Sequence, residues 1–234
     1  MNIFPSRTAL AISLTQPFSA VGGTPPYTFK ILPGGAGGSV DGSGIYTAPS
    51  VTGQDVIEVT DSLGATATAL ALVKTPLNLF CDVLQQSMGL ADGRVYLWDQ
   101  KIFEPTDMGL YIVVSVLNPK VFGSSRYLDA DGNAVQSVNM HTSLSVDIKS
   151  RGPEARDRKE EVIMALNSMY SEQQQEKNSI RIFALPQSFN NLSEEDGAAI
   201  PYRFNFTVNI QYFVTKKTSV DFYDSFSQSV ETDT

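Results

Sequence analysis

The sequence predicts two β-rich units in tandem. An all-β sandwich spans residues 1–75, and an α+β domain, a mixed or antiparallel sheet flanked by helices, spans 76–217. A short acidic and aromatic tail, 218–234, follows. Three observations carry this reading. Ten of the 17 glycines fall in the first 75 residues, between short β-rich runs. Two later segments, 137–149 and 202–214, alternate apolar and polar residues along their whole length. Between those two lies a stretch with helical spacing, charged first and apolar after.

In the first unit the runs 9–14, 27–31, 44–46, 55–59 and 65–73 read as strands. Between them stand Gly22-Gly23-Thr24-Pro25-Pro26, Pro33-Gly34-Gly35, Gly37-Gly38, Asp41-Gly42-Ser43-Gly44 and Asp61-Ser62-Leu63-Gly64. Strands recurring about every 8–12 residues between Gly/Pro turns predict a small sandwich. Asp41-Gly42 and Leu63-Gly64 are expected to supply the positive φ angles of hairpin turns. Glycine clusters cradle phosphate where a strand feeds a helix N-terminus. No helix signal follows these clusters, so they read as turns.

Thr75-Pro76 opens the second unit, with Thr75 placed to cap a helix and Pro76 at its first position. Phe80, Val83, Leu84 and Met88 then share one helical face, and the helix is expected to end near Gly89. A short strand over 94–98 and an apolar strand over 110–117 come next, the latter ending at Asn118-Pro119. Residues 118–136 read as a longer loop or a hairpin arm around Asp129-Ala130-Asp131-Gly132-Asn133. That acidic cluster lacks the ligand spacing and closing glutamate of a calcium loop, so a hairpin turn is expected.

In the strand 137–149, Val138, Met140, Thr142, Leu144, Val146 and Ile148 oppose Asn139, His141, Ser143, Ser145, Asp147 and Lys149. A turn at Ser150-Arg151-Gly152-Pro153 leads into a helix over 153–169, with Val162, Ile163, Leu166, Met169 and Tyr170 as its apolar stripe. Glu154 and Arg158, four apart, are expected to pair. Residues 171–178 read as a polar helix or loop, 180–185 as a strand and 187–200 as an acidic loop. In the closing strand, Tyr202, Phe204, Phe206, Val208, Ile210 and Tyr212 share one face, the period-2 pattern of a half-buried strand.

Composition narrows the function classes. The net charge of −8 argues against tight binding to phosphate backbones. Nearly all of that acidity belongs to residues 76–234, which hold 14 basic and 21 acidic side chains against three and four in residues 1–75. The single cysteine, Cys81, excludes an intrachain disulfide framework and reads as a buried structural thiol. The single histidine, His141, stands on a polar strand face, away from any nucleophile–base set. Glu160 and Glu161 are adjacent, so on a helix they diverge rather than face each other. No catalytic, metal-binding or cofactor-binding residues are assigned, and the chain is not expected to be an enzyme. No run of about 18 apolar residues predicts a membrane span, and the first 20 residues do not read as a secretory signal. In the tail, Phe222, Tyr223 and Phe226 among acids are candidates for docking on a neighbouring subunit.

Two resemblances add function. Gly-Gly-Thr-Pro-Pro-Tyr-Thr-Phe (22–29), Gly-Ser-Val-Asp-Gly-Ser-Gly-Ile-Tyr-Thr-Ala-Pro (38–49) and Ile-Glu-Val-Thr-Asp-Ser-Leu-Gly-Ala-Thr-Ala-Thr-Ala (57–69) resemble bacterial immunoglobulin-like modules. Such modules occur in surface adhesins and phage virion proteins. The run Ser145-Val146-Asp147-Ile148-Lys149-Ser150-Arg151-Gly152-Pro153-Glu154-Ala155-Arg156-Asp157-Arg158, with the strand 201–212, resembles the neck and tail-terminator proteins of tailed phages. This second resemblance covers roughly residues 77–217.

The terminator resemblance implies a virion protein at the head–tail junction, made in the host cytoplasm. It would form a homo-oligomeric ring, a hexamer in expectation, that terminates the tail tube and joins it to the head–tail connector. Its partners would be the tail tube protein and the connector or neck proteins. Genomic DNA would pass through the channel without specific binding, eased by an acidic lining. The alternatives are another phage tail or baseplate protein, or an adhesion protein binding a cell-surface glycan through the immunoglobulin-like module.

Overall fold

The computed structural model describes residues 1–99, 104–129, 132–183, 185–193 and 202–219. Among them the chain is β-rich, with three helices and several sheets. The strands before the first helix are β1 (Asn2–Phe4), β2 (Arg7–Ala11), β3 (Thr15–Pro17), β4 (Ser19–Val21), β5 (Thr28–Ile31), β6 (Ser39–Val40), β7 (Ile45–Thr47), β8 (Gly53–Thr60) and β9 (Thr66–Lys74). One sheet has the order β2-β9-β8-β5, a second has β3-β7-β6, and β1 pairs with β4. Alternation builds the core: in β8, Asp55, Ile57 and Val59 point inward while Val56, Glu58 and Thr60 stay half exposed. Leu10, Ile57, Val59 and Ala71 from one sheet meet Tyr46 from the other, with Ile3 and Phe18 completing the cluster.

The expected strand over 9–14 stops at Ala11, because Ser13 takes a φ of 61° and turns the chain. The short strands β1, β3, β4 and β6 carry too few residues to show a period.

One turn is used three times. The backbone carbonyls of Asp41, Asp61 and Asp129 each accept the amide of a glycine three residues on, at 3.1, 3.1 and 3.0 Å. In each, Oδ1 accepts the amide four residues on: Ile45 at 2.9, Ala65 at 2.8 and Asn133 at 2.9 Å. Gly44, Gly64 and Gly132 take φ angles of 86°, 86° and 81°, a region that costs glycine little. The expected positive φ at Gly64 is present; in the Asp41 turn it falls at Gly44 rather than Gly42.

The second half contains α1 (Pro76–Ser87), β10 (Val95–Leu97), β11 (Tyr111–Leu128), β12 (Ala134–Ser150), α2 (Glu154–Leu166), α3 (Met169–Lys177), β13 (Ile180–Ile182), β14 (Asn190–Asn191) and β15 (Tyr202–Thr218). Thr75 caps α1 by accepting the Asn78 amide at 3.2 Å. The sheet order is β10-β11-β12-β15-β13, with β14 also beside β15. The sheet is mixed: β10 runs parallel to β11, and the other pairs are antiparallel. Leu79, Phe80 and Leu84 of α1 and Val162 and Leu166 of α2 cover one face, against Leu144, Val146, Ile148, Phe206 and Val208.

Several expectations are corrected. Strand β11 does not end at Asn118-Pro119 but runs on to Leu128, and register shifts at Val116/Asn118 and Val121/Gly123 absorb the irregularity. The 118–136 segment is therefore a hairpin arm. The helix expected over 153–169 ends at Leu166, and the polar stretch 171–178, read as a helix or loop, is the helix α3, which starts at Met169 with Ser168 capping it by accepting the Ser171 amide at 3.1 Å. Met169 leaves the apolar stripe and is exposed. Glu154 and Arg158 do not form the expected close pair. Glu154 accepts the Leu110 amide at 3.0 Å, and Arg158 pairs with Glu161 at 2.7 Å. The strand expected over 180–185 closes at Ile182.

Candidate functional site

The strongest candidate surface is the arm. Strands β11, β12 and β15 stay paired, across the two register shifts in β11, from Tyr111↔Lys149 and Ser150↔Tyr202 out to Leu128↔Ala134 and Ala134↔Thr218. The helices cover only the near part of this three-stranded ribbon. On the covered face the rows run Ile148, Val146 and Leu144, all fully buried, and then reach Met140 and Val138, which are half exposed. The apolar character continues past the helices. Val121 stands opposite Met140 and Val214 opposite Val138, and they are 66% and 43% exposed. Phe122, at the second register shift, is 77% exposed, and Tyr127 and Leu128 are open near the tip. Arg126 and Lys216, both opposite Gln136, are exposed toward the tip, and Lys120, opposite His141, is exposed on the other face. Contiguous exposed apolar residues rimmed by charge mark interaction surfaces.

The other face of the arm is cross-linked by side-chain hydrogen bonds. Gln211 donates to Asn139 at 2.7 Å, and Ser143 donates to Asn209 at 2.6 Å. Nearer the base, Arg203 forks onto Asp147 at 3.1 and 3.2 Å, and Asn205 donates to the same carboxylate at 3.1 Å. Lys149 reaches Glu104 at 3.3 Å and lies over the Trp98 ring. The polar face of the long strands is thus a cross-strand network of both charge signs rather than a row of acids. At the tip, Lys217 pairs with Asp129 at 2.5 Å, tying β15 to the β11–β12 turn.

A groove lies at the far edge of the sheet, beside α3 and β13, with a volume of about 960 Å³. Leu166, Ile180, Ile182 and Phe213 give it an apolar lining, and Glu172 and Glu176 stand exposed on its α3 side with Arg181 nearby.

Cys81 is buried in α1, where loss of solvation pushes its thiol up to about 12. His141 packs edge-on against Phe183, with ring centroids 5.5 Å apart. Asp129, part of the sequence cluster that resembles a calcium loop, is engaged by Asn133 and Lys217. Among the described residues, no group of three His, Cys, Asp or Glu side chains could hold a metal ion. Phe222, Tyr223 and Phe226 lie outside the described residues. Among the described residues, no helix is long and apolar enough to cross a membrane. No local sequence pattern marks the groove, because the consecutive α3 and β13 form it with Leu166 of α2 and Gln211 and Phe213 of β15.

No protein-family model matches the sequence, and no curated protein is significantly similar to it.

Proposed function

We propose that the chain is a structural virion protein of a tailed bacteriophage, a ring-forming tail terminator at the head–tail junction. In this reading residues 76–217 form the terminator domain and residues 1–75 an immunoglobulin-like decoration. The observation that carries it is the arm: a long ribbon whose core-facing side runs on uncovered beyond the helices. Open strand edges add support. Among the described residues, strand β10 pairs only with Ile112–Val114 of β11, and β13 only with Ile210–Tyr212 of β15. Closing a ring is one way to satisfy such edges and such a face in every copy. The partners of the reading are the tail tube protein, the connector or neck proteins, and genomic DNA passing through the ring. The immunoglobulin-like unit, with its two sheets on one core, would face outward, where a cell-surface glycan is its partner class.

The test is a capping assay. The purified chain is added to tail tube protein during polymerisation, and tubes are viewed by electron microscopy. The expected result is a ring at one tube end and arrested growth at that end. Incorporation along the tube would transfer the protein to the tube-forming class, and tubes indifferent to it would overturn the reading.

A further inference from the structure

We propose that the basic tip of the arm seats in the groove beside β13 of a second copy of the chain, head to tail. The inference rests on the ring reading above and names the contact that would close the ring.

The two surfaces lie at opposite margins of one sheet. In the order β10-β11-β12-β15-β13, strand β11 carries Lys120, Val121, Phe122 and Arg126 near one margin and β13 bounds the groove at the other, while β15 between them carries both Lys216 of the arm and Phe213 of the groove. A contact between different patches on opposite margins is heterologous, the kind that closes into a ring or propagates as a filament.

The chemistry of the two surfaces is complementary. Val121 and Phe122 are 66% and 77% exposed; Arg126 and Lys216, both opposite Gln136, are exposed nearer the tip, and Lys120, opposite His141, is exposed on the other face of the ribbon. The groove offers the exposed Phe213 and the half-buried Ile182 to apolar side chains, over the buried Leu166 and Ile180, with Glu172 and Glu176 exposed on its α3 side. Arg181 at the groove is a single cation against those two carboxylates. A symmetric contact of arm with arm would instead bring two sets of Lys120, Arg126 and Lys216 together, which like-charge repulsion disfavours. In a chain of net charge −8, a basic arm is the part suited to meet an acidic surface of its own kind. The groove's volume of about 960 Å³ admits several apolar side chains from the arm.

Charge reversal tests the pairing on the full chain. Lys120→Glu with Arg126→Glu makes an arm variant, and Glu172→Lys with Glu176→Lys makes a groove variant. All four sites are exposed, so both variants are expected to melt like the parent by circular dichroism. Native mass spectrometry over a concentration series reads assembly. Each two-site variant is expected to need at least roughly tenfold more protein to assemble, and the chain carrying all four changes to recover much of that loss. Unchanged assembly in either two-site variant, or no recovery in the four-site chain, overturns the contact while leaving the ring reading standing. A chain truncated after Ser219 that fails to assemble, with the charge variants unaffected, assigns the groove to the C-terminal segment and also overturns it. A parent chain that never assembles removes the ring reading itself, and this contact with it.

Discussion

The side-chain carbonyl of Asn178 accepts the backbone amide of Ala11 at 2.9 Å, across 167 positions of sequence. Asn178 closes α3, donating its own amide to the Gln174 carbonyl at 3.0 Å. Ala11 ends β2, the strand that edges the N-terminal four-stranded sheet, yet it packs in the core of the second half. Beside this bond Lys177 donates to the Thr8 hydroxyl, and on the linker Lys74 pairs with Asp82 at 2.7 Å. The two cores are therefore joined at a built seam, in which a buried side chain accepts the amide at the end of an edge strand.

Replacing Asn178 by alanine leaves a buried amide without an acceptor. The expected cost is about 1–3 kcal/mol of stability. Urea denaturation checks this, and an unchanged midpoint would show that the seam carries no energy.

The N-terminal core depends on a second buried polar group. Asp55 is fully buried and accepts the Tyr46 hydroxyl at 2.6 Å and the Gly37 and Gly38 amides at 3.2 and 3.0 Å. Asp55→Ala strands three donors and is expected to cost on the order of 3 kcal/mol, whereas Tyr46→Phe removes one donor and costs about 1 kcal/mol. Thermal melting of both variants distinguishes them; equal losses would contradict the account.

Asp61 predicts an acid response. Its carboxyl is held below the usual carboxylate range, first by the Thr24 amide and then by the amides of Ala65 and Leu63. A folded pKa below the unfolded value of about 3.9 means that the unfolded chain binds more protons as pH falls. The stabilisation is full above that value and fades as pH drops through the folded one. The melting temperature is expected to fall in acid, and less steeply for Asp61→Asn. An identical acid slope in parent and variant would refute the assignment.

Cys81 is expected to resist thiol reagents in the folded chain, since its thiol is buried and pushed up to about 12. A disulfide-exchange reagent at neutral pH should react slowly with native protein and promptly in denaturant. Prompt labelling of native protein would place the thiol at the surface.

The parts of the fold that follow local rules were legible in the sequence. The period-2 rows of β12 and β15, the Thr75-Pro76 start of α1 and the glycine-closed turns are each written within a dozen residues. The extent of β11 was not, because Pro119 reads as a strand end until a partner strand accommodates it through register shifts. The break between α2 and α3 hinges on the Ser168 cap, which an apolar stripe running through to Tyr170 conceals. Glu154 looked paired with Arg158 by spacing, but the Leu110 amide, 44 positions away, takes its carboxylate. The groove beside β13 and the Asn178–Ala11 bond arise only once distant segments meet, so no local pattern encodes them.

The central claim is assembly through the arm, and native mass spectrometry of the full chain tests it most directly. The account predicts one closed species of fixed subunit number across the concentration series, lost when residues 119–141 are replaced by a short turn joining β11 to β12. A monomer at every concentration, or an arm-deleted chain that assembles as well as its parent, would contradict it.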